Sequence, residues 1–187
     1  MNRKPMDGIN GITIVELIIA LAIAAILSAI AVPSFTNIIQ DNRLAIQVNE
    51  LQASLSFARS EAIKRNNYVT TCRSSDGKNC IGDWTDGWIV FVDDDLDSTV
   101  DTGETILLRH GTISTNNTLT FNRSRIIYTG DGTARGGSNG TFTFCDKRGR
   151  TSARGLIVSN TGRSRLAVDK NTNGIVENGS NKNVSCP

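Results

Sequence analysis

From Ile12 to Val32 nearly every residue is apolar, and the run is interrupted by one carboxylate, Glu16. About 20 such residues in a helix cross the hydrocarbon of a bilayer, so this stretch restricts the chain more than any other. A charge at that depth costs about 2.5–3.5 kcal/mol on insertion scales, and one retained there generally has a partner and a task. Ahead of the run lie residues 1–11, which are polar and include Arg3 and Lys4. Positive charge before an apolar span holds that end in the cytoplasm and sends the downstream chain across the membrane. The rest of the protein is therefore expected to fold outside the cytoplasm.

Three readings fit this segment. A cleavable secretory signal could use Ala29-Ile30-Ala31 as its site, but such signals have an uncharged apolar core of about 7–15 residues. A plain signal anchor is the second. In the third, Gly11-Ile12-Thr13-Ile14-Val15-Glu16 resembles the prepilin peptidase site of type IV prepilins: a glycine closing a basic leader, then an apolar run with glutamate as its fifth residue. Ile12 stands where that family usually has phenylalanine. The resemblance implies cleavage after Gly11, N-methylation of Ile12 as the mature N-terminus, and pairing of Glu16 with a neighbouring subunit's N-terminal ammonium during assembly. Two opposite charges in hydrocarbon satisfy each other, which gives Glu16 its task.

This divides the chain into a leader (1–11), a membrane-spanning half-helix (12–33), an amphipathic half-helix (34–66) and a head (67–187). Pro33 lacks the N–H of the helical ladder and is expected to kink or loosen the helix. Beyond it, Leu44, Val48, Leu51, Leu55, Ala58 and Ala62 recur at helical spacing and form one apolar stripe. Asn42, Gln47, Glu50, Ser54 and Glu61 fall largely elsewhere. Asn66-Asn67 marks the stop, after Lys64 and Arg65. A helix from Ile12 to Arg65 would be about 80 Å long at 1.5 Å per residue.

From Tyr68 onward the pattern is of short strands. Trp88-Ile89-Val90-Phe91-Val92 is apolar on both faces, as in a central strand covered by a helix. Candidate strands come next at 104–109, 118–121, 125–128, 141–145, 155–159 and 163–168, separated by Gly/Asn turn clusters. One long helix and then many strands predicts an α+β domain with an antiparallel sheet packed on the helix stripe. Gly136–Gly140 lacks the strand–helix context of a phosphate loop and is read as a flexible hairpin connection. The polar stretch 171–183 is read as loop.

Four cysteines beyond a membrane crossing point to two disulfides. Three pairings are possible. Proximity favours Cys72 with Cys80, which leaves Cys145 to hold the tail through Cys186. No C-x-x-C is present and His110 is the single histidine, so zinc and proton chemistry lack their residues. His110 is read as a surface or partly buried residue, and nothing in the sequence supports an enzyme.

A second resemblance rests on the head. Ala58-Arg59-Ser60-Glu61-Ala62-Ile63-Lys64-Arg65-Asn66, then Gly87-Trp88-Ile89-Val90-Phe91 with an acidic loop, then Gly162-Arg163-Ser164-Arg165, together resemble the GspH/FimT family of minor pilins and pseudopilins. The likeness runs from Gly11 to about Asp169. It implies the type IV pilin fold and a minor subunit at or near the tip of a type IV pilus or a type II secretion pseudopilus, and the residue types above lead to the expectation of no cofactor and no metal. The implied partners are prepilin peptidase and other pilin subunits. The implied location is the inner membrane, crossed once with a periplasmic head, and then the assembled pilus at the cell surface.

Charge is unevenly spread. Eight acids and no Lys or Arg lie between Asp83 and Glu104, while ten bases and three acids lie between Arg123 and Lys170. In FimT-like members that serve natural transformation, a G-R-x-R motif of this form is implicated in binding DNA. The resemblance thus nominates Arg163 and Arg165 as contacts to double-stranded DNA. Alternate strand residues lie about 6.8 Å apart on one face, and binding of this kind is salt-dependent and weakly selective. Arg148, Arg150 and Arg154 enlarge the patch if the sheet brings them close. The competing reading is a structural subunit, a pilus-priming minor pilin or a type II secretion pseudopilin, without DNA binding.

The acids Asp93, Asp95, Asp97, Asp101 and Glu104 match positions 1, 3, 5, 9 and 12 of a calcium loop, but Ser98 occupies the glycine position and strands flank it. A solvated acidic connection is the expectation. Asp169-Lys170-Asn171-Thr172-Asn173-Gly174 opens in the same way but lacks an acid at the twelfth position.

Overall fold

The computed structural model describes residues 12–114 and 116–187, and the side chains of all of these except 32 and 33. Gly11 and the expected leader lie outside the described residues. One helix, α1 (Ile14–Arg65), precedes eight strands. The chain forms two units, one ending at Ile39 and one beginning at Gln40. In the first, Ile14, Leu17, Ile18, Leu21, Ile26 and Ile30 are all more than half exposed. Apolar residues all round a helix suit it to lipid or to other helices. α1 continues through Pro33, so the missing N–H there does not end it.

In the second unit the stripe is buried as its spacing predicts: Leu44, Leu51, Leu55, Ala58 and Ala62 are fully enclosed and Val48 nearly so. Full burial of a leucine or valine side chain contributes about 1.5–3 kcal/mol. Gln47 and Ser54 are buried as well, contrary to expectation. Each has a partner: the Asn117 amide donates to Gln47 at 2.7 Å, and the Ser54 hydroxyl donates to the Glu50 carbonyl at 2.9 Å. The helix ends where Asn66 turns left-handed (φ 49°). The Asn66 and Asn67 N–H groups then bond back to the Ile63 and Ala62 carbonyls at 3.2 and 3.1 Å, satisfying groups a helix end otherwise leaves open.

The strands are β1 (Val69–Arg73), β2 (Trp88–Val92), β3 (Ile106–His110), β4 (Asn117–Thr120), β5 (Arg125–Tyr128), β6 (Gly140–Asp146), β7 (Arg154–Val158) and β8 (Ser164–Leu166). The fold is α+β and pilin-like, but the sequence pointed to one sheet and there are two, each of four strands, ordered β3-β2-β1-β5 and β4-β6-β7-β8. All the strand pairs are antiparallel. Gly136–Gly140 therefore crosses between sheets and is not a hairpin. The crossing is fixed: the Ile127 N–H donates to the Ser138 hydroxyl at 3.1 Å, and the Arg135 N–H donates to the Ile127 carbonyl at 2.9 Å.

The inner faces of both sheets join the helix stripe in one core, with Trp84, Trp88, Val90, Tyr128, Phe142, Phe144, Leu156 and Val158 at its centre. Trp84 packs edge-on to Phe142, with ring centroids 4.8 Å apart. β2 is buried on both faces, as expected, but its second face is not covered by a helix. Ile89 and Phe91 pack there with Cys72, Cys80, Val100 and Ile106. The tail is also less loose than its composition implies. Ile175 and Val184 are buried with Ala153 and Cys145, and Glu177 pairs with Asn183.

Candidate nucleic-acid interface and assembly residues

At the start of α1 the Glu16 N–H donates to the Thr13 hydroxyl at 3.2 Å, and the Thr13 N–H lies 3.5 Å from Glu16 Oε2. Thr13-x-x-Glu16 is thus a reciprocal cap that occupies N–H groups a helix start leaves open. The T-x-x-E spacing carried that signal, and it gives Glu16 a local role beside any role in assembly. Ile12 and Glu16 are both exposed.

The proposed DNA residues sit on the β7–β8 hairpin. Among the described residues β8 pairs with β7 alone and is an edge strand of its sheet; two residues on, the Val168 carbonyl accepts the Glu177 N–H of the tail. Arg165 lies opposite Ile157 and Ser164 opposite Val158. Strand alternation therefore assigns Arg165 to the outer face, away from the core residues Leu156 and Val158, while Arg163 lies one residue before β8. The turn before them requires glycine. Gly162 has φ 74°, and a Cβ there would lie 2.1 Å from the Gly132 carbonyl oxygen. The same carbonyl accepts the Arg59 Nε–H at 2.7 Å, tying the hairpin tip to the helix.

Arg163 and Arg165 are exposed and have no ion pair among the described residues. They border different recesses. Arg165 lines one of about 510 Å³ with Asn122, Thr141, Thr143, Asn178 and Ser180. Arg163 borders one of about 220 Å³ with Gln52, Ser56 and Arg59.

The other three arginines do not join them in one patch. Arg154 pairs opposite Phe144 and so belongs to the helix-facing side of the sheet. Arg150 is exposed in the β6–β7 turn. Arg148 is occupied: its guanidinium reaches Asp146 at 2.7 Å and Asp41 at 2.8 Å. The Asp146 bond raises the Arg148 pKa against partial burial, with Asp41 adding to the effect. Burial pushes the Asp146 carboxyl up, but its bonds from Arg148 outweigh that and hold it below the usual range. Arg148 fastens sheet to helix and is not a free phosphate contact. A separate recess of about 480 Å³ is lined by Arg123, Arg125, Arg135 and Ser138, which the sequence showed only as scattered charge.

Both favoured disulfides are present, Cys72–Cys80 (S–S 1.99 Å) and Cys145–Cys186 (2.02 Å). His110 is half-buried, its ring stacked 3.8 Å from Trp88 and its Nε2 3.2 Å from Glu50. The acidic loop is folded on itself more than a solvated connection would be. Asp93 is fully buried and accepts the Thr70 hydroxyl and the Ser98 N–H. Oxygens of Asp93, Asp95 and Asp97 lie within 4.8 Å of one another. Burial raises the Glu104 pKa, against two N–H bonds from Asp101 and Asp94 and with help from the Asp93 and Asp95 charges.

Residues 47–162, more than half of the chain, match the family model for type II transport protein GspH. Residues 6–32 match the prokaryotic N-terminal methylation motif. Among solved structures, the type IV minor pilin FimU of Pseudomonas aeruginosa PAO1 is similar in two crystal forms. One has TM-score 0.56 and 25% identity, covering 69% of this chain and 91% of that one. The other has TM-score 0.53 and 23% identity, covering 67% and 93%. The minor pseudopilin EpsH of the Vibrio cholerae type 2 secretion system has TM-score 0.47 and 11% identity, covering 66% and 95%. No curated protein sequence matches the chain. The methylation motif implies processing by prepilin peptidase and assembly with other pilins, and an apolar helix beginning at Ile14 is consistent with anchoring in the inner membrane. The chain belongs to the GspH family and is a non-enzymatic minor pilin or pseudopilin of a type IV pilus or a type II secretion system.

Proposed function

We propose that this subunit is a minor pilin of a type IV pilus that captures double-stranded DNA through the β7–β8 hairpin, with Arg163 and Arg165 as its phosphate contacts. One observation carries the reading. These two guanidiniums are exposed and without an acid partner at the edge of a sheet, while Arg65, Arg73 and Arg148 are each held by a carboxylate. Guanidinium groups free of internal partners suit phosphate recognition. The likeness to FimU supports the type IV pilus over the secretion system.

Before assembly the leader is removed after Gly11, Ile12 becomes the methylated N-terminus, and the head faces the periplasm. In the filament Glu16 pairs with a neighbour's terminal amine. A second reading, a structural subunit without DNA binding, is favoured by one feature: Arg163 and Arg165 border separate recesses, as arginines fitted to neighbouring subunits would.

Duplex DNA titrated into the full chain in detergent micelles at two salt concentrations separates the two. Binding that weakens with salt is expected. In the double variant Arg163→Ala, Arg165→Ala the slope of log K against log salt should fall by about 1.8, or about 0.9 for each phosphate no longer neutralised. Equal binding by the variant removes Arg163 and Arg165 from the DNA role, and no binding by either protein favours the structural subunit.

A further inference from the structure

The tail after β8 repeats a turn found earlier in the chain. In the acidic loop the Asp97 N–H bonds to Asp95 Oδ1 at 3.2 Å, Ser98 N–H to Asp93 at 3.3 Å and Thr99 N–H to Asp97 at 2.6 Å. In the tail the Asn173 N–H bonds to Asn171 Oδ1 at 3.1 Å, Gly174 N–H to Asp169 at 2.7 Å and Ile175 N–H to Asn173 at 2.9 Å. The fourth and sixth residues of each turn are left-handed: Leu96 (66°) and Ser98 (65°), then Thr172 (60°) and Gly174 (83°). An acid then folds back onto the second residue's N–H, Glu104 onto Asp94 at 2.8 Å and Glu177 onto Lys170 at 2.7 Å. Oxygens at the first, third and fifth positions and a sharp turn at the sixth are the winding of a calcium loop.

The turns differ in what is left over. The first acid has both oxygens taken in each turn, Asp93 by Thr70 and Ser98 and Asp169 by Asn173 and Gly174, and in the acidic loop both oxygens of Glu104 are taken as well. In the tail, Glu177 is only 3% exposed, and its Oε1 is buried with no hydrogen-bond partner. A buried carboxylate oxygen left without a partner is costly. The twelfth position of this turn is Ser180, so the sequence pattern shows no closing acid. The fold brings the acid from the ninth.

We propose that Asp169, Asn171, Asn173, the Ile175 carbonyl and Glu177 form a calcium site. The donor set is all oxygen, with two carboxylates and no histidine. That chemistry suits a hard cation, and the irregular mix with water completing the shell suits calcium over magnesium, which demands near-octahedral geometry. Bound calcium would pair the orphaned Glu177 oxygen and fix the tail. Asn178 and Ser180 of that tail form a wall of the recess lined by Arg165, so the ion would also set the shape of that recess.

Calorimetric titration of the full chain in detergent micelles with calcium chloride tests this, together with thermal melting in calcium and in EDTA. One site is expected, with a dissociation constant of about 10⁻⁴–10⁻³ M as in extracellular modules. Glu177→Gln should weaken it by about tenfold or more, while Asp97→Asn leaves it unchanged. In EDTA, Glu177→Gln should melt at or above the wild-type temperature, because the buried charge is gone. In calcium only the wild type and Asp97→Asn should gain. If Glu177→Gln does not fold, Asp169→Asn carries the same expectation for binding. No calcium heat up to about 10 mM, equal binding in Glu177→Gln or Asp169→Asn, or loss in Asp97→Asn instead would each overturn the proposal.

Discussion

The two sheets are fastened by different means. The β3-β2-β1-β5 sheet is held by its neighbours in sequence: Cys72 and Cys80 are 8 residues apart, and Asp93, one residue past β2, bonds to Thr70 in β1. The β4-β6-β7-β8 sheet is held by distant parts. Cys145 reaches 41 residues to Cys186, and Arg148 reaches 107 residues back to Asp41 in the helix. The fastenings of the first sheet span 8 and 23 residues, although its β1–β5 pair joins more distant segments, Cys72 lying opposite Arg125. The second carries the arginine hairpin and the tail, and depends on contacts that exist only when the whole head is folded.

The disulfides test this contrast most strongly. By loop-closure entropy, replacing Cys145 and Cys186 with serine should cost about 4 kcal/mol, against about 2.5 kcal/mol for Cys72 and Cys80. Melting tracked by the fluorescence of Trp84 and Trp88 measures both, and equal losses would remove the distinction.

Arg148→Ala comes next. It leaves Asp146, whose side chain is 3% exposed, as a buried charge with its main partner gone, at a cost of about 3 kcal/mol. The pH dependence sharpens the assignment. The folded Asp146 pKa lies below the ordinary 3.8. Its contribution is therefore present above about pH 4 and disappears as pH falls through the folded value. The wild type should lose melting temperature over that acid range, and Arg148→Ala should lose less.

The smallest effect is expected from Arg163→Ala with Arg165→Ala. Stability should change by no more than about 0.5 kcal/mol, even as DNA binding is lost. A large drop would mean that the hairpin arginines support the fold.

How much of this could be read from the sequence depended on the range of the interaction. Leu44 to Ala62 sat on one face because helical spacing is local, and all six are buried. The strands were recognisable near their true bounds for the same reason. Their division into two sheets was not, since alternation tells which face is buried and does not name the neighbour. Gln47 looked like a surface residue until Asn117, 70 residues away, supplied its partner. Arg148 looked like an addition to a basic patch until the fold set it between two aspartates. The hairpin motif was legible by resemblance, yet the separation of its arginines between two recesses was not.

The order of residues alone determined the apolar helix with its glutamate, the stripe that joins that helix to the head, and the glycine ahead of Arg163. Each comes from solvation or backbone geometry acting over a few neighbouring residues. Only the tertiary structure decided which charges are free and which are bound, and which acid closes the tail loop. A side chain's electrostatic state depends on what lies within a few ångströms of it, and in this head those groups come from far along the chain.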